Sequence, residues 1–171
     1  MKKILLSLIV ATSLIACTNP LEKSSTEDVN METFRENSKI VKILLDGFVN
    51  NEFDKTDSLV SDTAKFDSPG LGGGILNKND NSLGLKALRA LDTEVSYTEL
   101  QFLPTVDTAT LKPDGNVRVF AKWSAVGQNG AIVNNKYFAV FEFNTDHKLI
   151  YVDAYQDMTG IMQALTAPSK K

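Results

Sequence analysis

The chain has 171 residues, with 18 lysines and arginines against 21 aspartates and glutamates. The mild acidity argues against a nucleic-acid-binding surface, and a single cysteine and a single histidine argue against a His/Cys metal centre. A hydrophobic content of 43% fits a globular chain rather than a disordered one. At the N-terminus Lys2 and Lys3 precede an uncharged apolar stretch from Ile4 to Ala16. Its length suits the core of a secretory signal and falls short of the roughly 20 residues that span a bilayer. Only Ser7, Thr12 and Ser13 interrupt it, so it lacks the polar face of a surface helix.

The stretch ends in Leu14-Ile15-Ala16-Cys17, which resembles the lipobox of bacterial lipoproteins. The resemblance implies cleavage before Cys17, a diacylglycerol thioether on its sulfur, and often a third acyl chain, such as palmitate, on its amine. Two or more chains anchor a protein stably to a membrane. Lipidation also accounts for an odd cysteine in an exported chain. The alternative is an ordinary signal peptide with a chance cysteine. The expectation is an exported protein, lipid-anchored to the cell envelope. Thr18 stands where an Asp would favour the inner membrane in enteric-type sorting, which points to the outer membrane if the source has one. Loss of the signal takes the formal charge from −3 to −5.

Residues 1–16 are thus read as the signal, 17–28 as lipidated cysteine and flexible tether, and 29–167 as one α+β domain. Ser24 with Glu27, or Ser25 with Asp28, fits a capping box, so a first helical turn inside the tether stays open. A helix is predicted from Val29 to Asn51, with Phe34, Val41, Leu44, Leu45 and Phe48 on one stripe and Ile40 and Ile43 widening it. A second short helix is predicted over Asp54 to Val60, with Leu59 and Val60 inward, and a strand over Ala64 to Asp67. Ser68-Pro69-Gly70 breaks that strand, and the glycines to Gly74 read as a mobile loop or lid. Without a following Gly-Lys-Ser/Thr they are not a phosphate loop. A third helix is predicted from caps within Asn79 to Ser82 through Leu91.

Strands are predicted over Glu94 to Phe102, Thr105 to Leu111, Val117 to Val126, Val133 to Phe143 and Lys148 to Gln156. Turns fall at Pro113-Asp114-Gly115-Asn116, Gly127 to Gly130 and Asn144 to His147. Val117, Val119, Ala121, Trp123 and Ala125 share one face of their strand. Asp157 is set to cap a final short helix, Met158 to Leu165. Three helices, an antiparallel meander and a terminal helix make an α+β domain whose bent sheet leaves a concave side for a ligand.

The order and spacing from Val29 to Leu165 resemble the nuclear transport factor 2-like superfamily, especially its SnoaL-like branch. The carrying pieces are the long first helix, the Asn51-Glu52-Phe53-Asp54 corner, and Leu59 to Ala64 leading into Phe66-Asp67-Ser68-Pro69-Gly70. Later come Phe141-Glu142-Phe143, Lys148-Leu149-Ile150, and Ala154-Tyr155-Gln156-Asp157 before the last helix. The resemblance implies a cone-shaped, strongly curved antiparallel sheet on three N-terminal helices, with an apolar pocket. It includes isomerases, cyclases, dehydratases and non-catalytic binding domains, so fold does not give function.

The resemblance to steroid isomerases places a general base at Asp67, with Ser68 competing for the position. A turn-capping Asp67 is the alternative. Isomerase chemistry also needs oxyanion donors. The first-helix tyrosine that supplies one falls here at about Ile43 and Leu44, which cannot donate. SnoaL-like cyclases carry an acid on a late strand, which makes Asp153 a second candidate, with a solvated strand acid as alternative. Tyr97, Trp123, Tyr137 and Tyr155 are candidate cavity residues, able to bury a ligand and orient it through phenol and indole groups. Core packing is the competing reading. His147 is expected at a solvated hairpin tip. No cofactor or metal signature is present. Three functions are carried forward: an anchored domain that binds a small apolar molecule or a protein partner, a proton-transfer enzyme using Asp67 or Asp153, and a homodimerising module.

Overall fold

A computed structural model describes residues 26–70 and 72–169. The expected signal, Cys17, Ser24, Ser25 and most of the expected tether lie outside the described residues. The first helix, α1, spans Thr26–Val49. Phe34, Asn37, Val41, Leu45 and Phe48 are buried at the three- and four-residue spacing of one helical face, with Gly47 buried beside them. Ile43 falls off that face and is half exposed, so it does not widen the stripe. The helix α2 is a single turn, Phe53–Thr56, followed by a 3-10 turn at Asp57–Leu59. Val60 therefore starts a strand rather than ending a helix, and Leu59 and Val60 are only half-buried.

Strand β1 spans Val60–Asp67, and the three-residue β2, Ile75–Asn77, returns against it. Helix α3 then runs Lys78–Arg89, capped by Asn77, whose side chain accepts the Asp80 amide at 2.9 Å. The cap lies two residues before the predicted ones, because Asn79 is already helical. A β1–β2 hairpin thus separates the second helix from the third.

Strands β3 (Asp92–Val106), β4 (Pro113–Gly127), β5 (Ile132–Phe143) and β6 (Leu149–Tyr155) complete one sheet in the order β2-β1-β6-β5-β4-β3. The final helix, α4, is Met158–Thr166, and Asp157 accepts the Gly160 amide at 2.8 Å as its cap. The domain is α+β as expected, with one departure: β1 and β6 pair in parallel, so the sheet is mixed. The parallel pair is possible because the whole meander intervenes between the two strands.

The predicted break at Pro104 does not occur, and β3 runs through it. Strand β3 is a sheet edge, where a missing N–H costs no ladder bond. The chain reverses at Asp107–Lys112 instead, where Asp107 accepts the amides of Ala109 and Thr110. The predicted turn at Pro113 to Asn116 is the start of β4. Gly115 still needs its glycine, since its φ is +88° and a Cβ would lie 2.8 Å from Thr33 Cγ2.

Glu99 has a φ of 52° and marks a bulge, because Thr98 pairs with Lys122 but Gln101 with Phe120. The bulge switches side-chain parity. Val95 and Tyr97 pair with the inward Ala125 and Trp123, whereas Phe102 and Pro104 pair with the inward Val119 and Val117. It also bends the edge strand, giving the sheet its concave side. Helix α1 packs on β4 and β3, α3 on β1, β2 and β3, and α4 on β5. The core is the inward row of β4, predicted from its alternation, against the stripe of α1.

Candidate functional site

The concave side holds a cavity of about 620 Å³. Its deep end is walled by Phe48, Phe66, Trp123, Tyr137 and Phe141, all buried. Helix α1 adds Leu44 and Leu45, and α4 adds Met158 and Met162. The outer end carries polar groups: Thr56, Asp57 and Ser68, then Asn81 and Ser82 of α3, and Gln156 after β6. The size lies within the range of small-molecule sites, and so does the pattern of apolar wall and few polar groups.

Three of the four candidate aromatic residues meet here. Tyr97 of β3 pairs across the ladder with Trp123 of β4, and the ring of Tyr137 from β5 stands edge-on to Tyr97 with centroids 5.2 Å apart. Burial raises the phenol of Tyr97 well above its ordinary value, with Tyr137 adding to it, and burial alone raises Tyr137. Both are neutral hydroxyls at any physiological pH. Neither phenol has a hydrogen-bond partner among the described residues.

Tyr155 stands elsewhere. From β6 the cavity takes Leu149, Val152 and Ala154, followed by Gln156 just after it, and the intervening Asp153 and Tyr155 face the other side of the sheet. The Tyr155 phenol donates to Asp153 Oδ2 at 2.6 Å, and Tyr155 is more than half exposed. Asp67 is the last residue of β1 and pairs with Asp153. It reaches the cavity rim, but its carboxyl lies beside the Tyr151 phenol on the outer face. Burial raises the Tyr151 phenol, and the negative charges of Asp153 and Asp67 raise it further. Both candidate acids thus gather on the outer face with Tyr151 and Tyr155. Asp153 does not line the cavity, and Asp67 lines it only at the rim.

Lys78, missed in the sequence, sits on the cavity wall with its side chain 14% exposed. Its ammonium donates to Asp62 Oδ1 and to the carbonyls of Asp57 and Val60, each at 3.1 Å, and lies 3.0 Å from Asp57 Oδ2. Burial pushes the group down, but the bonds to Asp57 and Asp62 outweigh it and hold it above the ordinary lysine value. A charged, fully engaged lysine is neither nucleophile nor base. It ties the α2 corner to α3.

The loop after β1 turns on itself through Gly73 N to Gly70 O at 2.8 Å and sets Ser68 and Pro69 on the rim. Leu71, in the middle of the expected lid, lies outside the described residues. His147 is half-buried rather than a solvated tip, because its ring meets Asn37 of α1. Among the described residues no group of three or more His, Cys, Asp and Glu could hold a metal, and no helix is long and apolar enough to cross a membrane.

The outer face carries an aromatic row. Phe120, Phe138 and Tyr155 are direct cross-strand neighbours on β4, β5 and β6, with centroids 4.6 and 5.4 Å apart. Phe120 and Tyr155 are exposed.

No family model matches the sequence, and no curated protein matches it. Solved structures do match the fold. A putative isomerase from Bacillus subtilis superposes with a TM-score of 0.65 at 12% identity, over 81% of this chain and 99% of that one. A putative polyketide cyclase from Xanthomonas campestris pv. campestris gives 0.63 at 11% identity, over 78% and 99%. A nuclear transport factor 2-like protein from Burkholderia xenovorans gives 0.59 at 15% identity, over 77% and 97%. At such identities the likeness is one of fold: the domain has the nuclear transport factor 2-like architecture.

Proposed function

We propose that this chain is a lipid-anchored binding protein whose domain takes a small apolar molecule into the cavity between sheet and helices. The observation that carries the reading is the 620 Å³ apolar cavity walled by Phe48, Trp123, Tyr137 and Phe141. Anchoring rests on Leu14-Ile15-Ala16-Cys17. Native mass spectrometry of the chain purified gently from its host tests the ligand: a reproducible extra mass, lost on denaturation, supports it, and a bare chain counts against a tightly held molecule. Cys17→Ser tests the anchor, since the variant should leave the membrane fraction.

The enzyme reading draws on structural neighbours described as a cyclase and an isomerase. It is the weaker one here. Asp153 is bonded to Tyr155 on the outer face, Asp67 stands beside it at the cavity rim, and Lys78 is fully engaged. Proton transfer needs a group within hydrogen-bond reach of the reacting atom. A second reading, self-association, is favoured by the outer-face row Phe120, Phe138 and Tyr155, whose two ends are exposed. Sedimentation of the chain and of Phe120→Ser distinguishes a dimer that the variant splits from a monomer throughout.

A further inference from the structure

The lining of the cavity carries three charged side chains, Asp57, Asp67 and Lys78. Lys78 is the one cation among them. An ammonium in the wall of an apolar cavity can hold a carboxylate head group by a charge-assisted hydrogen bond. Its own bonding therefore decides which ligands the cavity admits. The ammonium has three N–H groups to give. Four acceptors surround it: the carbonyls of Asp57 and Val60 and Asp62 Oδ1, each at 3.1 Å, and Asp57 Oδ2 at 3.0 Å. No donor is left for a ligand, and two carboxylates offset the charge. The acids of the lining are no freer. Asp57 is held in that cluster, and Asp67 stands at the rim beside the Tyr151 phenol.

What remains at the outer end is uncharged. Asn81 and Ser82 of α3 and Gln156 after β6 line it, each half-buried. Their side chains make no hydrogen bond among the described residues. Resting on the binding reading above, we infer that the cavity selects an uncharged amphiphile, with its apolar body against Phe48, Trp123 and Phe141 and a hydroxyl or amide head among Asn81, Ser82 and Gln156. Asp57 and Asp62 set this selectivity, because they mask Lys78. A hydroxyl or an amide both donates and accepts, as the three facing side chains do. A carboxylate head would be partly desolvated beside Asp57 with no free cation to take it, and an ammonium head would meet no free carboxylate.

The test compares 1-decanol, decanoate and decylammonium, which share one chain length and differ in head-group charge. Binding to the full chain is followed in detergent-free buffer by fluorescence of Trp123, the only tryptophan, which walls the apolar end. At neutral pH decanol should bind about tenfold more tightly than either ion. Asp57→Asn combined with Asp62→Asn unmasks Lys78 and should raise decanoate affinity relative to decanol by about tenfold. A second readout uses the unaltered chain and needs no variant to fold. Decanoate affinity should rise as pH falls through the probe's own carboxyl pKa, roughly 4 to 5, while that of decanol stays level. An ion that binds as tightly as decanol, a decanoate affinity that does not rise as pH falls, or a folded double variant with no gain for decanoate would overturn the inference and leave the apolar pocket standing. Failure of all three probes to bind would overturn the binding reading itself.

Discussion

His147 Nδ1 lies 2.7 Å from Asn37 Oδ1, joining the β5–β6 turn to the middle of α1. Asn37 is 1% exposed, and its Nδ2 donates to the Gly115 carbonyl at 2.9 Å. With the amide nitrogen used there, Oδ1 is the acceptor, so the imidazole carries its proton on Nδ1. One buried side chain thus fixes helix, turn and the start of β4 together. Asn37→Ala leaves the Gly115 carbonyl and the His147 ring without partners. It should cost about 1–3 kcal/mol of stability. His147→Ala removes one bond and should cost less. Urea denaturation of both variants checks the order, and an unchanged midpoint for Asn37→Ala would remove the tie from the account.

Asp92 begins β3 beneath the end of α1, and neither of its buried carboxyl oxygens has a partner. Arg89 stands close but spends its guanidinium on carbonyls, those of Phe48, Val49 and Asp92 itself. Burial therefore lifts the Asp92 carboxyl from 3.8 to about 6, with the Arg89 charge pulling the other way. In the sign convention of linkage, the folded state binds more protons than the unfolded one between those values. Stability then falls as pH rises from about 4 to about 6, and the loss is complete above that. Screening by solvent and Arg89 reduces the loss to about 1–2 kcal/mol. Asp92→Asn should gain that amount at pH 7.5 and little at pH 4. The variant-minus-native difference cancels the exposed Asp107 and Glu36, whose carboxyls are held low by the Thr110 backbone and by Lys39 and so act oppositely.

Asp67→Asn and Asp153→Asn should leave ligand binding in the cavity within about twofold of the native chain, as outward-facing surface changes do. The reason is the pairing of β1 with β6, which sets Asp67 beside Asp153 and, one residue earlier, the inward Phe66 beside Val152. Titration by Trp123 fluorescence measures it. A tenfold effect of Asp67→Asn alone would mean that its carboxyl acts inside the cavity, and the proton-transfer reading would then lead.

The inward row of β4 was legible because five small or apolar residues alternate with Arg118, Lys122 and Ser124. The α1 stripe was legible too, but Asn37 was hidden: its spacing from Phe34 and Val41 puts a polar residue on the apolar face, the one cue that it must be bonded. The bulge at Glu99 left no cue, since a non-glycine residue at positive φ is chosen by tertiary context. Hence the β3 parity could not be read across it. Face choice failed on β6 for another reason. Aromatic residues occupy both sides of this sheet, Tyr97 and Tyr137 within and Phe138 and Tyr155 without, so aromatic character could not assign Tyr155. The three-residue β2 is too short to show a period.

Ala154 offers a direct test of the cavity. It lies on β6 between Asp153 and Tyr155, faces inward opposite Ala139, and lines the wall near α4. Replacing it with phenylalanine would project a ring into open apolar space rather than into packed side chains. A void costs stability in proportion to its volume, roughly 24 cal/mol per Å³ in cores that cannot collapse. Filling part of it offsets the strain of insertion, so Ala154→Phe should change stability by less than about 1.5 kcal/mol. The same ring should lower the affinity of any cavity ligand by about tenfold or more, by removing the volume it needs. The paired measurement is thermal unfolding and Trp123 titration on one preparation. Retained stability with lost binding places the ligand in this cavity. Retained binding would move it to another surface, and a loss of several kcal/mol would mean that the wall at Ala154 is already packed.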